Sequence, residues 1–320
     1  MHTESQAIAL RGLTKRYSNR RGSVNALTDV SFGVSRGESF GFLGPNGAGK
    51  TTTLRILATI LTPTTGTAQV EGNDIERDSM AVRSLIGYVP EKAGAYPLLT
   101  GLQNLLYWAR LQDVDRMNLR ERAKSLLTEL GLEEAADRKV KTYSFGMTKR
   151  LMVAQALIHD PSVFLLDEPA GGLDPQGIRF FRDLVRRLKS QGKTVLLSSH
   201  ILSEVEQTCA QVAVIHRGKI LAVGRMDDLR RRLGSSQTIS VKVECDTLSS
   251  AAILALQGIP GVRAAHPESF GTTVEVVPGS DVVAEITRIL VENRLRIRAI
   301  RPQEPTLEDA YMSLIGGGTA

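Results

Sequence analysis

Residues Gly44-Pro45-Asn46-Gly47-Ala48-Gly49-Lys50-Thr51 fit the spacing G-x-x-x-x-G-K-[ST]. The glycines of such a loop let backbone N–H groups turn inward around phosphate oxygens. The N-terminus of a following helix adds its partial positive charge. Lys50 is then placed to reach the outer phosphates of a nucleoside triphosphate, and Thr51 to offer a hydroxyl to Mg²⁺.

Further along, "VFLLDEP" ends an apolar run on a carboxylate pair. Asp167 is expected to hold Mg²⁺ opposite Thr51. Glu168 is left free to orient the attacking water and take its proton. His200 closes the next apolar run, "TVLLSSH". Neighbouring parallel strands deliver their C-terminal ends to one crevice, so His200 is expected within reach of the γ-phosphate.

A second phosphate-binding pattern occurs in "KTYSFGMTKR". Ser144 suits the N-cap of the helix that follows, and Gly146 lets backbone approach a phosphate closely. The phosphate loop already wraps one side of the triphosphate, so this second helix start has no free ligand within its own site. It is expected to serve a nucleotide held by another copy, most simply in a C₂ homodimer with two shared sites.

These residues need elements to position them. "ESFGFLG", "SLIGYVP", "SVFLLDEP" and "KTVLLSSH" read as buried strands of the parallel-sheet type, and "TTTLRILATIL" as a helix. Another helix is expected over about 176–190. Leu102, Leu105, Leu106 and Ala109 share one helical face, and Ala123, Leu126, Leu127 and Leu130 another. The pattern predicts an α/β core over residues 1–234 with a helical insertion at about 93–160. Near "LGSSQ" the periodicity changes. Residues 235–320 read as β-α-β-β-α-β, a smaller α+β ferredoxin-like domain, and "PTLEDAYMSL" as a last helix capped by Thr306, with Asp309 as box partner.

Composition bounds the setting. Hydrophobic residues make up 42% and charged residues 23% of 320, as in globular proteins. Cys209 and Cys245 have no metal-ligand spacing, which suits a reducing compartment. The N-terminus lacks the basic-then-apolar order of a secretory signal, and no apolar run approaches a membrane span. The net charge of +6 is clustered, as in "LRRRL" and "RLRIRAIR". Few aromatics lie among these clusters, so anionic lipid headgroups fit them better than nucleic acid, which is not expected as a partner.

Taken together, the motifs resemble those of an ABC transporter ATP-binding subunit, in the expected order over about residues 7–230. "GPNGAGKTT", Gly44 to Thr52, matches the Walker A loop and "VFLLDE" the Walker B strand. "GGLD", ending at Asp174, matches the D-loop, and His200 the switch histidine. The resemblance implies that Tyr17 stacks on adenine. It also makes "YSFGM" the signature sequence, where the family pattern is Leu-Ser-Gly-Gly-Gln. Phe145 then needs only to point away from the ligand, and Met147 forfeits a hydrogen bond that glutamine would make. Glu91, in "GYVPEKAG", stands where the family carries its lid glutamine, as an oxygen for Mg²⁺ and water. The C-terminal part resembles the accessory domain of the branch that exports drugs, peptides or polysaccharides through a separate permease.

The resemblance implies ATP and Mg²⁺ as ligands, a head-to-tail ATP sandwich, and a peripheral position on the cytoplasmic face of the cell membrane beside an integral membrane permease. Tyr96, Leu98, Leu99 and Trp108 are expected to line a groove for a permease helix. One alternative is a soluble ABC-type ATPase acting on nucleic acid or ribosomes. Such proteins usually carry two cores or a long coiled coil, and this sequence has neither. Another is a regulatory module without turnover, against which Glu168 and His200 weigh.

Overall fold

The computed structural model describes residues 6–19, 22–92, 94–115, 117–229, 239–246, 248–268, 271–277 and 282–303. The chain divides into two units, Met1–Gly224 and Arg225–Ala320. The boundary expected at 234/235 and the last helix expected from Thr306 lie outside the described residues.

The first unit opens with two long strands, β1 (Gln6–Asn19) and β2 (Gly22–Ser35), paired antiparallel. With β4 (Thr65–Val70) and β5 (Asn73–Asp74) they form a sheet of order β2-β1-β4-β5. Between them come β3 (Ser39–Leu43) and α1 (Lys50–Leu57). The second sheet holds β3, β6 (Ile86–Val89), β7 (Val163–Asp167), β8 (Thr194–Ser199), β9 (Gln211–His216) and β10 (Lys219–Arg225), in the order β10-β9-β3-β8-β7-β6. From β6 to β9 the pairs are parallel. Every residue of β3, β7 and β8 is buried, as unbroken apolar runs demand of central strands. The core joins both sheets. Phe32 of β2 lies 5.4 Å from Phe40 and 5.2 Å from Phe42, and Leu54, Ile56 and Leu57 of α1 belong to the same cluster.

Two elements depart from the expected pattern. Ser84 and Leu85 close a short helix, α2 (Ser79–Leu85), instead of opening a strand, so β6 begins at Ile86. The helix over 51–61 stops at Leu57, and Thr59 follows with φ +56°.

The helical block contains α3 (Gly101–Leu111), α4 (Leu119–Glu129), a 3-10 turn (Val140–Thr142) and α5 (Phe145–Leu157). α3 starts in a capping box: the Thr100 hydroxyl accepts from Gln103 N, and Gln103 Oε1 accepts from Thr100 N. Leu102, Leu105 and Ala109 bury one face of α3, and Ala123 and Leu127 one face of α4. Buried Asn104 fixes the segment before α3. Its Oδ1 accepts from Tyr96 N at 2.7 Å, and its Nδ2 donates to the Tyr96 and Thr100 carbonyls. After β7 come α6 (Pro175–Ser190) and, after β8, α7 (Leu202–Thr208).

The second unit runs β11 (Ile239–Cys245), α8 (Ser250–Gln257), β12 (Val262–Glu268), β13 (Gly271–Val276), α9 (Val283–Glu292) and β14 (Ile297–Gln303). The antiparallel order β12-β13-β11-β14 is the ferredoxin-like arrangement of a β-α-β-β-α-β chain. Val241, Val243, Ala252, Leu256, Val274, Ile286 and Leu290 form its core. Gly271 is required at the hairpin: its φ is +135°, and a Cβ there would lie 1.9 Å from the Val243 carbonyl oxygen.

Candidate functional site

β3 ends at Leu43, and the chain then wraps into a loop before α1. Gly49 has φ +112°, and a Cβ there would sit 2.6 Å from Leu27 and 2.7 Å from the Ala26 carbonyl oxygen. Glycine therefore meets both the backbone and the space requirement. Ala48 is buried, and its carbonyl accepts from Gly218 N, bracing the loop from behind. Lys50 is also buried. Its Nζ donates to the carbonyls of Gly44 at 2.6 Å and Pro45 at 3.1 Å, and lies 3.1 Å from Glu168 Oε1.

The carboxylates sit at the end of β7. Asp167 Oδ1 accepts from Thr51 Oγ1 at 3.0 Å and from Ser198 Oγ at 2.8 Å, and the Tyr88 hydroxyl reaches Oδ2 at 3.4 Å. Burial pushes the Asp167 carboxyl above its usual range. The hydrogen bonds from Ser198 and Thr51 oppose this, and the charges of Glu168 and Glu91 add to it. Burial also pushes the Tyr88 hydroxyl up to about 12, so it stays a donor toward Asp167. Glu168 has φ +46°, a strained value for a non-glycine residue. Its N–H donates to Ser198 Oγ at 2.9 Å, and its Oε2 lies 2.9 Å from His200 Nδ1. Ser198, not singled out from sequence, thus holds both acids. It pairs with Asp167 across β7 and β8.

A cleft of about 740 Å³ gathers Asn46, Gly47, Gly49, Lys50, Thr51, Thr52, Glu91, Glu168 and His200. Ala26, Lys92, Phe145, Gly171 and Gly172 complete its wall; Gly171 and Gly172 belong to the D-loop pattern, and the other three were not singled out for this cleft. Tyr17 is half exposed on β1 with Lys15 Nζ 5.3 Å from its ring centre, and does not line the cleft.

Ser144, Gly146 and Asp174 line a different cavity, of about 200 Å³, with Arg150 and Phe180. Ser144 caps α5, accepting from Met147 N at 3.2 Å. Asp174 caps α6, accepting from Gly177 N at 2.8 Å. Phe145 qualifies the reading of the second phosphate pattern. Its ring turns away from the Ser144 cavity but toward a ligand site nonetheless, the chain's own cleft.

The donors present suit a triphosphate with Mg²⁺. A buried ammonium is held among loop carbonyls and faces an acid that phosphates would replace. A hydroxyl and a carboxylate meet beside it. Among the described residues no three His, Cys, Asp or Glu side chains cluster to hold a metal by themselves. The Thr51 hydroxyl and the Asp167 carboxylate, 3.0 Å apart, are the kind of one or two protein oxygens that Mg²⁺ takes when phosphates and water complete its shell.

Such a loop and acid pair on a parallel sheet define a P-loop nucleotide-hydrolysing protein. Residues 27–171 match the family model described as ABC transporter. The chain is 31% identical to the linearmycin resistance ATP-binding protein LnrL of Bacillus subtilis, covering 92% of this chain and 95% of that protein. It is 35% identical to the daunorubicin/doxorubicin resistance ATP-binding protein DrrA of Streptomyces peucetius, covering 99% and 94%. Among solved structures, an ATP-binding subunit of an ABC transporter superposes with a TM-score of 0.65 at 31% identity, covering 71% of this chain and 93% of that one. A dimeric ATP-binding cassette in a post-hydrolysis state with ADP and Pi gives 0.63 at 26%, covering 68% and 98%. The chain belongs to the ATP-binding subunits of ABC transporters, and it is an ATPase.

Proposed function

We propose that this subunit powers export of a compound through a separate membrane permease, as one half of a head-to-tail homodimer on the cytoplasmic membrane face. The observation that carries the dimer is the split between the two phosphate patterns. The Lys50 loop lines one cavity, and Ser144 with Gly146 lines another on the same core. Two such chains, placed head to tail, complete each other's sites.

Within each site Lys50 leaves Glu168 for the outer phosphates. Glu168 then orients water and takes its proton, and His200 holds the Glu168 carboxylate and contacts the γ-phosphate. Thr51 and Asp167 are the residues that would hold Mg²⁺, with Glu91 at the lid; the metal would offset charge on the phosphates. Tyr17 is assigned to stacking on the adenine base, from its place in the β1/β2 hairpin outside the cleft wall.

A largely apolar cavity of about 490 Å³, lined by Trp108, Met152, Tyr88 and Pro90, suits a permease segment. Of the groove residues expected from sequence, Trp108 lines it, and Tyr96, Leu98 and Leu99 do not. Among the described residues no helix is long and apolar enough to cross a membrane, and the reading assigns the crossing to a second chain. The names of the similar proteins, which include a bacitracin transport ATP-binding protein, support export. The C-terminal unit is assigned to tuning dimer contacts or turnover. Affinity capture after gentle detergent extraction tests the whole. A multi-span membrane protein in stoichiometric amount is expected, whereas ribosomes or nucleic acid in its place would overturn export.

A further inference from the structure

Lys149 is only 1% exposed and has no part in the chemistry above. A buried ammonium is costly unless polar groups surround it, so its partners are informative. Its Nζ donates to the carbonyl of Glu91 at 2.6 Å and lies 3.4 Å from that of Pro90. It also sits 5.8 Å from the centre of the Phe145 ring, four residues earlier on the same helix face. Phe145 is itself held in place. A Cβ on Gly172 would be 3.4 Å from its ring edge, so the ring lies against that glycine's backbone on the cleft side.

Both ends of this arrangement touch ligand positions. Ser144 and Gly146 begin the helix that carries Lys149, and the helix rises about 7 Å between Ser144 and Lys149. At the other end is the backbone of the lid residue Glu91. A helix transmits displacement along its axis better than a loop does, and its contact with the lid is a charged donor on backbone acceptors.

We propose that Lys149, braced by the Phe145 ring, ties the Pro90–Glu91 backbone to the start of α5. Lys149 is thereby a positioning residue for Glu91. Engagement of Ser144 and Gly146 by a second copy's phosphates is passed to the lid of the chain's own cleft. This rests on the proposed roles of Glu91 and of the Ser144 helix start.

The test is hydrogen exchange on the full chain. Lys149→Met keeps length and burial but cannot donate. Without nucleotide, the amides of β6 that lead into the lid, Gly87 to Val89, should exchange at least fivefold faster than in the parent, with α3 and α4 unchanged, and Lys149→Arg should restore protection. In a Glu168→Gln background with ATP, the same amides should gain protection when Lys149 is present and not in Lys149→Met. Unchanged exchange in Lys149→Met would overturn the tie. Should that variant not fold, Phe145→Gly, which removes only the brace, should give a smaller shift in the same direction, and no shift there would equally overturn it. Glu91→Ala separates the premise from the proposal. Normal turnover and normal Mg²⁺ dependence in that variant would remove the role of Glu91 while the exchange result still judges the tie.

Discussion

His200 Nδ1 lies 2.9 Å from Glu168 Oε2, while Lys50 Nζ lies 3.1 Å from the other oxygen of the same carboxylate. The acid is therefore held from both sides before any phosphate enters. Glu168→Gln keeps the size and the contact with His200 but cannot accept a proton. It is expected to bind ATP and dimerise normally, with hydrolysis reduced about 10²–10⁴-fold. Single-turnover phosphate release measures this, and undiminished turnover would remove Glu168 as the base.

Lys50→Ala is expected to abolish ATP binding, read by equilibrium dialysis. It also leaves Glu168 buried without its cation, which costs on the order of 3 kcal/mol. Chemical denaturation should show that loss, and adding Glu168→Gln should recover part of it. A fully stable Lys50→Ala protein would mean that the 3.1 Å pair contributes nothing to folding.

Ser198 joins Asp167 Oδ1 and the Glu168 N–H through one hydroxyl. Removing a residue that orients a metal ligand typically costs 10–100-fold in metal affinity or activity. Ser198→Ala should raise the Mg²⁺ concentration for half-maximal turnover about tenfold, with little change in nucleotide affinity measured without metal. An unchanged Mg²⁺ requirement would reduce Ser198 to a packing residue.

How far the sequence carried can be judged from these same side chains. Lys50, Asp167, Glu168 and His200 were legible because a phosphate loop needs glycine at fixed places and because parallel strands end at one edge. Ser198 was not, since its value depends on lying opposite Asp167 across β7 and β8. The N-terminal antiparallel sheet was hidden because register shifts interrupt the β1/β2 pairing at several points and break the period-two alternation. The direction of the Phe145 ring depends on contact with Gly172, a residue distant in sequence. The C-terminal unit was easier, since β11 alternates apolar and polar residues and glycine marks the β12/β13 hairpin.

His159 gives the first unit an acid-sensitive point. Its Nε2 lies 2.9 Å from the Ile86 carbonyl oxygen, and its Nδ1 is buried with no hydrogen-bond partner. Burial, aided by the charge of Arg122, holds the imidazole below its ordinary 6.5, although the Ile86 carbonyl and Asp160 pull the other way. The folded chain thus prefers neutral histidine. As pH falls, the unfolded chain takes the proton first. The stability contribution is complete above about pH 6.5 and is lost as pH falls through the lower folded-state value. Urea unfolding at pH 7.5 and 5.5 should show this loss, and His159→Gln should lessen it. An identical pH difference in the variant would exclude His159 as the cause.

Gly146 has an ordinary negative-φ helical backbone, and a Cβ there would come no closer than 3.8 Å to Leu173. Among the described residues nothing requires glycine at this position, unlike Gly49 or Gly271. The need assigned to Gly146 comes from the phosphate that would enter the cavity beside Ser144. Gly146→Asp should therefore fold with an unchanged melting temperature and bind ATP at its own Lys50 loop with near-normal affinity. It should fail to form the ATP-dependent dimer in a Glu168→Gln background, because a carboxylate would meet the second copy's phosphates. Ser144→Ala should show the same pattern more weakly, with some loss of helix stability from the missing cap. Light scattering with and without ATP reads the dimer. Normal ATP-dependent dimerisation of Gly146→Asp would place the second phosphate contact elsewhere and remove the main support for the head-to-tail assembly.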